Sequence, residues 1–253
     1  MAWVEYKLQY PCGLTGRDLV GAGITSIVAR LDAVIKFSRP ENTRFLEREK
    51  RVYERLGHDH PGVLQYFGSL DNGLLFKYAR NGSIRQFYTR PDKSVPRSLK
   101  LRWIEQIAEA IVFVHSKRVL HGDISCNNIL LDDELNARIA DFAGSSIDGE
   151  DSLICYETSH ELPGIDTISE KCELFALGSV FYEIMTSSKP YKELSDDEIC
   201  AAYTAGSYPR LDHLHACRQI ISNCWNQKYD SAAELLEDIR AEGIVIFLYS
   251  VQH

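Results

Sequence analysis

Four clusters of residues stand between apolar runs in a way that suits chemistry. The first is Gly21-Ala22-Gly23-Ile24-Thr25-Ser26, ahead of Ile27-Val28. Two glycines at this spacing let a backbone approach a phosphate with no Cβ in the way. The segment also reads as an ordinary glycine turn, because Ser26 stands where a third glycine would complete the pattern. The second is Ala33-Val34-Ile35-Lys36. A lysine at the end of an apolar strand is costly to bury unless it is paired, and the helical stretch that follows offers Glu49, with Glu47 as competitor. The other reading of Lys36 is a surface lysine whose stem covers apolar neighbours.

The third cluster lies in Val119-Leu120-His121-Gly122-Asp123-Ile124-Ser125-Cys126-Asn127-Asn128-Ile129-Leu130-Leu131. An Asp and an Asn five apart, set between apolar runs, suit a base and a metal ligand. The fourth is Asp141-Phe142-Ala143-Gly144, ten residues beyond Leu131 and directly after Ile139-Ala140. Its carboxylate completes an oxygen pair with Asn128 of the kind Mg²⁺ accepts while keeping water. Either of these two clusters alone could be a polar loop with capping residues. All four together, in this order, point to phosphate and metal chemistry.

The elements that must position these groups follow from the hydrophobic pattern. From about residue 10 to 79, short apolar runs are broken by glycine, with one helical stretch in which Phe45, Leu46, Val52, Tyr53 and Leu56 recur at helical spacing. Asp71-Asn72-Gly73 between Val63–Leu70 and Leu74–Tyr78 predicts a hairpin. From Ser98 onward the period is helical. Trp103, Ile104, Ile107, Ala108, Ile111, Val112 and His115 form one face, and Leu174, Leu177, Phe181, Ile184 and Met185 another. Ser195 with Glu198, and Ser231 with Glu234, predict two capped helix starts, and Arg90–Arg97 reads as a short polar connection. Strands first and helices later imply an α+β protein of two lobes.

The 253 residues are 45% hydrophobic, enough to bury a core without disulfides or metals. Seven scattered cysteines with no CxxC pair suit a reduced intracellular protein. The start of the chain lacks the basic and apolar regions of a signal peptide, and the longest apolar runs, Ala110–Val114 and Ile244–Tyr249, fall far below the roughly 20 residues of a spanning helix. These features predict a location in the cytoplasm or nucleus and no membrane insertion. A net charge of −8, from 28 basic and 36 acidic side chains, argues against nucleic-acid binding.

In these motifs the chain resembles the eukaryotic protein kinases from about Gly13 to Arg240. The resemblance implies a bilobal fold, with a small β-rich N-lobe with one key helix over residues 1–79 and a larger, mainly helical C-lobe over 80–253. It implies ATP and Mg²⁺ as cofactors and a protein hydroxyl, on serine or threonine, as acceptor. Lys36 matches the strand lysine that grips the α- and β-phosphates, and Glu49 its helix partner. Asp123 matches the catalytic base, Asn128 the second metal ligand and Asp141 the main one. Phe76 would be the gatekeeper and Lys77-Tyr78-Ala79 the hinge that meets adenine. Gly21, Ala22, Gly23, Val28, Val34 and Leu130 complete the implied nucleotide site. Leu174–Ser179 with Lys189-Pro190-Tyr191 looks like the central helix of the large lobe, and Cys224-Trp225 matches a later helix. The wording around His121, Asp141 and Cys155–His160 looks most like small kinase-only proteins of filamentous fungi.

The chain also departs from that pattern. Gly122 replaces the arginine before the catalytic aspartate, and Ser125 replaces the lysine two residues after it. Ala143 replaces a glycine that would tolerate positive φ, with Gly144 as a displaced joint. Glu173 replaces an aspartate that holds the catalytic-loop backbone. The terminal glutamate of the activation segment and its arginine partner are both missing. Ser26, Ser125 and Ala143 keep open a pseudokinase-like binding module, and the His121-Gly122-Asp123 run with Asn128 five residues on, which aminoglycoside and choline kinases also carry, keeps open a small-molecule phosphotransferase. Without an arginine at 122, a phosphate on Ser145, Ser146, Ser152, Tyr156, Thr158 or Ser159 would lack its usual receiver. The expectation is basal activity independent of such phosphates, unless Arg44, Arg48 or Arg51 receives them.

Overall fold

The computed structural model describes residues 16–22, 26–58, 60–91, 94–165 and 167–251, the side chains of 244–251 aside. The apolar runs before residue 79 form strands. β1 (Leu19–Ala22) and β2 (Ile27–Ala29) make an antiparallel hairpin in which Gly21 faces Val28. β3 (Ala33–Phe37), β4 (Tyr66–Leu70) and β5 (Gly73–Lys77) make an antiparallel sheet in the order β3-β5-β4.

The predicted hairpin forms with a two-residue turn, Asp71-Asn72, one residue tighter than the spacing suggested. Asp71 takes φ +50° there, a conformation that aspartate tolerates better than most residues. Gly73 is already in the strand, where a Cβ would lie 2.6 Å from Ile35. Val63 is not part of β4. It makes an isolated bridge to Ile139 instead, and Leu64 N–H donates to the Ile139 carbonyl, joining the sheet region to the loops below.

α1 (Thr43–Leu56) turns Glu49, Val52, Tyr53 and Leu56 inward, at the i, i+3, i+4, i+7 spacing of one helical face. A five-residue helix, α2 (Ile84–Tyr88), precedes the polar connection and is an element the apolar periodicity does not reveal. Its signal is Ser83 with Gln86, which form a reciprocal capping box.

The helical part packs around α3 (Arg97–Ser116) and α4 (Glu170–Thr186). On α3 the predicted face of Trp103, Ile104, Ile107, Ala108 and Ile111 is fully buried, and the Trp103 indole donates to the Leu135 carbonyl. α4 is buried around nearly its whole circumference and starts at the Ser169 cap. Two short antiparallel ladders hold the loops that matter: β6 (Val119–Leu120) pairs with the distant β9 (Ser146–Ile147), and β7 (Ile129–Leu131) with β8 (Ala137–Ile139).

α5 (Asp196–Thr204) begins at the Ser195–Glu198 capping box as expected. α6 (Arg218–Trp225) packs on α4, and α7 (Ala232–Val251) on α3. The Ser231–Glu234 start differs from the reciprocal pattern. Ser231 accepts from Glu234 N–H, but the Glu234 carboxylate reaches back to Asp230 N–H. Six of the cysteines lie among the described residues and all are free thiols. No helix among the described residues is long and apolar enough to cross a membrane.

The α4–α6 crossing depends on a residue with no side chain. A Cβ on Gly178 would lie 2.7 Å from the Cys224 Cβ and 3.1 Å from the Trp225 ring. Gly178→Ala should therefore destabilise by about 1–3 kcal/mol through overpacking. Gly243→Ala, with nothing within 4 Å, should be neutral or gain up to about 1 kcal/mol of helix propensity. Urea unfolding of both variants checks the contrast, and equal effects would refute it.

Candidate active site

Lys36 extends from β3, between α1 and the loop after β8. Its ammonium lies 2.7 Å from Glu49 Oε2 and 2.8 Å from Asp141 Oδ1. Glu49 is the partner and Glu47 is not. Glu47 is exposed, whereas Glu49 shares the buried face of α1 with Val52 and Tyr53. Burial pulls the Lys36 pKa down, but the two carboxylates more than offset it, and the net direction is upward. Burial raises the Glu49 pKa, and Lys36 only partly reverses that. Asp141 goes the other way, with its burial outweighed by Lys36. The arrangement is a shared cation between two carboxylates, one buried and one half-open.

An aromatic column stands behind this group. Tyr53 on α1 touches Phe76 at 4.8 Å and Phe142 edge-on at 5.2 Å, and Phe142 in turn meets His121 at 4.8 Å between centroids. Such pairs contribute about 0.5–1.5 kcal/mol each beyond their burial. The column ties α1 to the two loops that carry Asp123 and Asp141.

The loop after β6 is held from below. Glu173, fully buried on α4, accepts from Gly122 N–H at 2.9 Å, from the Tyr156 hydroxyl at 3.0 Å and from His115 Nε2 at 2.8 Å. The longer glutamate thus meets the loop backbone, as expected at its position, and gathers α3 and the segment after Asp141 as well. Burial lowers the His115 pKa, but the hydrogen bond and charge of Glu173 reverse it, giving a net rise. Burial raises that of Glu173, and His115 more than reverses it. Gly122 takes φ +82°, and a Cβ there would lie 2.9 Å from Ser152 Oγ and 3.2 Å from Ile168.

Within the loop, Asn128 Nδ2 donates to both the carbonyl and the carboxylate of Asp123, at 2.8 Å each. The atom this leaves Asn128 to offer a cation is its amide oxygen. His121 bonds the Ala140 carbonyl through Nε2, so its Nδ1 can accept from Asp123 N–H. Burial raises the Asp123 pKa, only partly offset by His121 and Asn128. Ser125 is buried, and its hydroxyl has no partner among the described residues. It does not stand in for the lysine it replaces.

The residue with positive φ after β8 is Asp141, at +66°, and not Ala143. Alanine therefore bears no such strain, and Gly144 is not a displaced joint. Gly144 is needed for space, since a Cβ would fall 1.8 Å from Ile154.

These groups border a cleft of about 310 Å³. Of the residues predicted to bind a cofactor, Val34, Lys36, Glu49, Phe76, Lys77, Ala79 and Leu130 line it, together with Asn128 and Asp141. Gly21, Ala22 and Val28 sit on the β1–β2 hairpin outside that lining, and Gly23 lies outside the described residues. Asp123 is placed at the edge through Asn128. Sequence reasoning missed Tyr53, Leu64, Asn127 and Ala140 in the lining. Tyr53, four residues after Glu49, carried a helical signal, while Leu64 carried none. A larger cavity, about 640 Å³, lies between α3, α4 and the segment after Asp141, but the site's charged groups converge on the smaller one.

A family model described as protein tyrosine and serine/threonine kinase matches residues 29–238. Among curated proteins, the chain is 25% identical to serine/threonine-protein kinase 12 of Arabidopsis thaliana, over 81% of this chain and 48% of that one. It is 24% identical to a protein of Dictyostelium discoideum named as a LIM domain-containing serine/threonine-protein kinase, over 83% of this chain and 36% of that one. A protein of Acanthamoeba polyphaga mimivirus named as a serine/threonine-protein kinase/receptor is 25% identical over 82% of this chain and 14% of its own. The chain thus spans less than half the length of these relatives.

Two outcomes follow from the geometry. Lys36→Met and Glu49→Gln share one interaction, so a double-mutant cycle read by ligand affinity in the cleft should show about 0.5–3 kcal/mol of coupling; additive losses would mean another acid partners Lys36. For His115, the raised folded pKa means its contribution is fully present below the unfolded value near 6.5 and is lost as pH rises through the folded one. His115→Gln should destabilise by about 3 kcal/mol near pH 6, and clearly less at pH 9. Melting curves of wild type and variant across that range decide it, and a gap that is flat or widens with pH would contradict the pairing.

Proposed function

Because the chain belongs to the protein tyrosine and serine/threonine kinase family, we propose that it is an active, ATP-dependent protein kinase that phosphorylates serine or threonine hydroxyls. The observation that carries the reading is Lys36 held between Glu49 and Asp141, a cation aimed into the cleft and fixed by carboxylates on two other elements. Phosphoryl transfer asks of a protein mainly position and charge neutralisation. The serine/threonine names of the relatives support the acceptor class.

Mg²⁺ suits the oxygen set offered by Asp141 and the Asn128 amide, and when bound it would neutralise phosphate charge and orient the transferring group. The chain's own residues do the rest. Val34 and Leu130 offer apolar walls for a base, and Lys77 to Ala79 close one end of the cleft. Lys36 presents its charge to phosphate oxygens. Asp123, oriented by two hydrogen bonds from Asn128, accepts the proton of the attacking hydroxyl. Burial raises its pKa, which strengthens it as an acceptor for that proton. We place the protein in the cytoplasm or nucleus, on its free cysteines.

A second reading, a nucleotide-binding module without turnover, draws on the buried Ser125, which leaves the loop without its lysine. A degenerate peptide library incubated with Mg·ATP separates the two readings. Phosphate incorporation supports the kinase, and Mg·ATP binding without incorporation supports the module. Within the kinase reading, Lys36→Met and Asp141→Asn should weaken both Mg·ATP affinity and turnover. Asp123→Asn should lower turnover by about 10²–10⁴-fold while leaving affinity within twofold. Equal affinity losses in all three would defeat the assignments.

A further inference from the structure

Beside the buried face of α1 that holds Glu49, Arg48, Arg51 and Arg55 are spaced i, i+3, i+7 so that they form one row. All three are already engaged by the segment after Asp141. Arg48 is buried and donates to the carbonyls of Ser145 and Asp151, at 2.9 Å for the latter, and to Glu150 at 3.0 Å. Arg51 makes a two-pronged pair with the same Glu150 carboxylate, one prong at 3.0 Å. Arg55 forks onto Asp148 at 2.7 and 3.1 Å. Between the two acids Gly149 takes φ +86° and Asp148 +55°, a bend that sends both carboxylates toward the helix.

We propose that Asp148 and Glu150 are positioning residues for phosphoryl transfer, built-in anions that clamp α1 and thereby hold Glu49 against Lys36 without any phosphate on the segment. This rests on the kinase reading above. Isolated exposed ion pairs contribute little, but here five charge-assisted hydrogen bonds converge on two carboxylates, and the buried Arg48 carries two further bonds to backbone. The clamp also reaches the catalytic loop. Asp148 N–H donates to the Arg118 carbonyl, and β9, just before the acids, pairs with β6, just before His121. Of the arginines that could receive a phosphate in place of Gly122, Arg48 and Arg51 are taken, and Arg44 stacks on Phe45.

The test uses the full chain, phosphatase-treated and checked by intact mass, with the degenerate peptide library and Mg·ATP. Treated and untreated wild type should agree within about twofold. Asp148→Asn/Glu150→Gln should lower kcat about tenfold or more with peptide KM nearly unchanged, and should speed amide exchange along α1. In a Glu49→Gln background the same pair of substitutions should cost less than about twofold, since it acts through Glu49. Glu150→Asp, which keeps the anion, should retain most of the activity that Glu150→Gln loses, which guards against a merely misfolded variant. A tenfold loss on phosphatase treatment, reversed by rephosphorylation, would overturn the proposal, as would a full loss persisting with Glu49→Gln. Wild type that turns over nothing refutes the kinase reading. The clamp is then judged by exchange alone, and unchanged α1 protection in the double variant overturns it.

Discussion

An ammonium group drawn partly out of water calls for carboxylates, and the placing of Lys36 is set by that demand. Its two partners come from elements with no reason of their own to meet: Glu49 from a helix, Asp141 from a loop more than ninety residues later in the chain. Bringing both within 3 Å fixes α1 against β3 and the loop against both. A buried charge left alone costs several kcal/mol, so neither element can drift without losing more than its own contacts. The aromatic column of Phe76, Tyr53, Phe142 and His121 is the apolar counterpart of the same constraint. It fills the space behind the charges on the side of the buried Glu49.

Glu173 repeats the principle one layer down. A fully buried carboxylate is tolerable when it is saturated with donors, and its three come from the loop after β6, α3 and the segment after Asp141. An aspartate at that position would end one methylene sooner. The extra reach lets one side chain collect partners from three directions.

What was legible in the sequence was mostly what is local. Asp123 and Asn128 meet because they are five residues apart in one loop, and their hydrogen bonds follow from that spacing. Glu49 over Glu47 was readable from helical phase, through Val52, Tyr53 and Leu56. The α+β division followed from the change of period. The short α2 lay below the length at which periodicity speaks, although Ser83 and Gln86 carried its start. Ala143 was misread because a glycine-to-alanine change suggests lost backbone freedom, whereas the left-handed residue is Asp141. Gly144 answers to Ile154, ten residues on. The pairs of Arg51 with Glu150 and Arg55 with Asp148 span 99 and 93 residues, and no local pattern couples such positions.

Gly122 has a bearing on how readily the chain could be re-engineered. Its φ of +82° is one that a side chain resists, and the space beside it is held by Ser152, whose hydroxyl is already committed to the Gly144 and Ile154 carbonyls. Grafting an arginine onto this position would therefore strain the backbone, displace Ser152 and unseat the turn around Gly144 together. The glycine thus marks a place where the loop backbone itself, and not a side chain, is what the surroundings are built around.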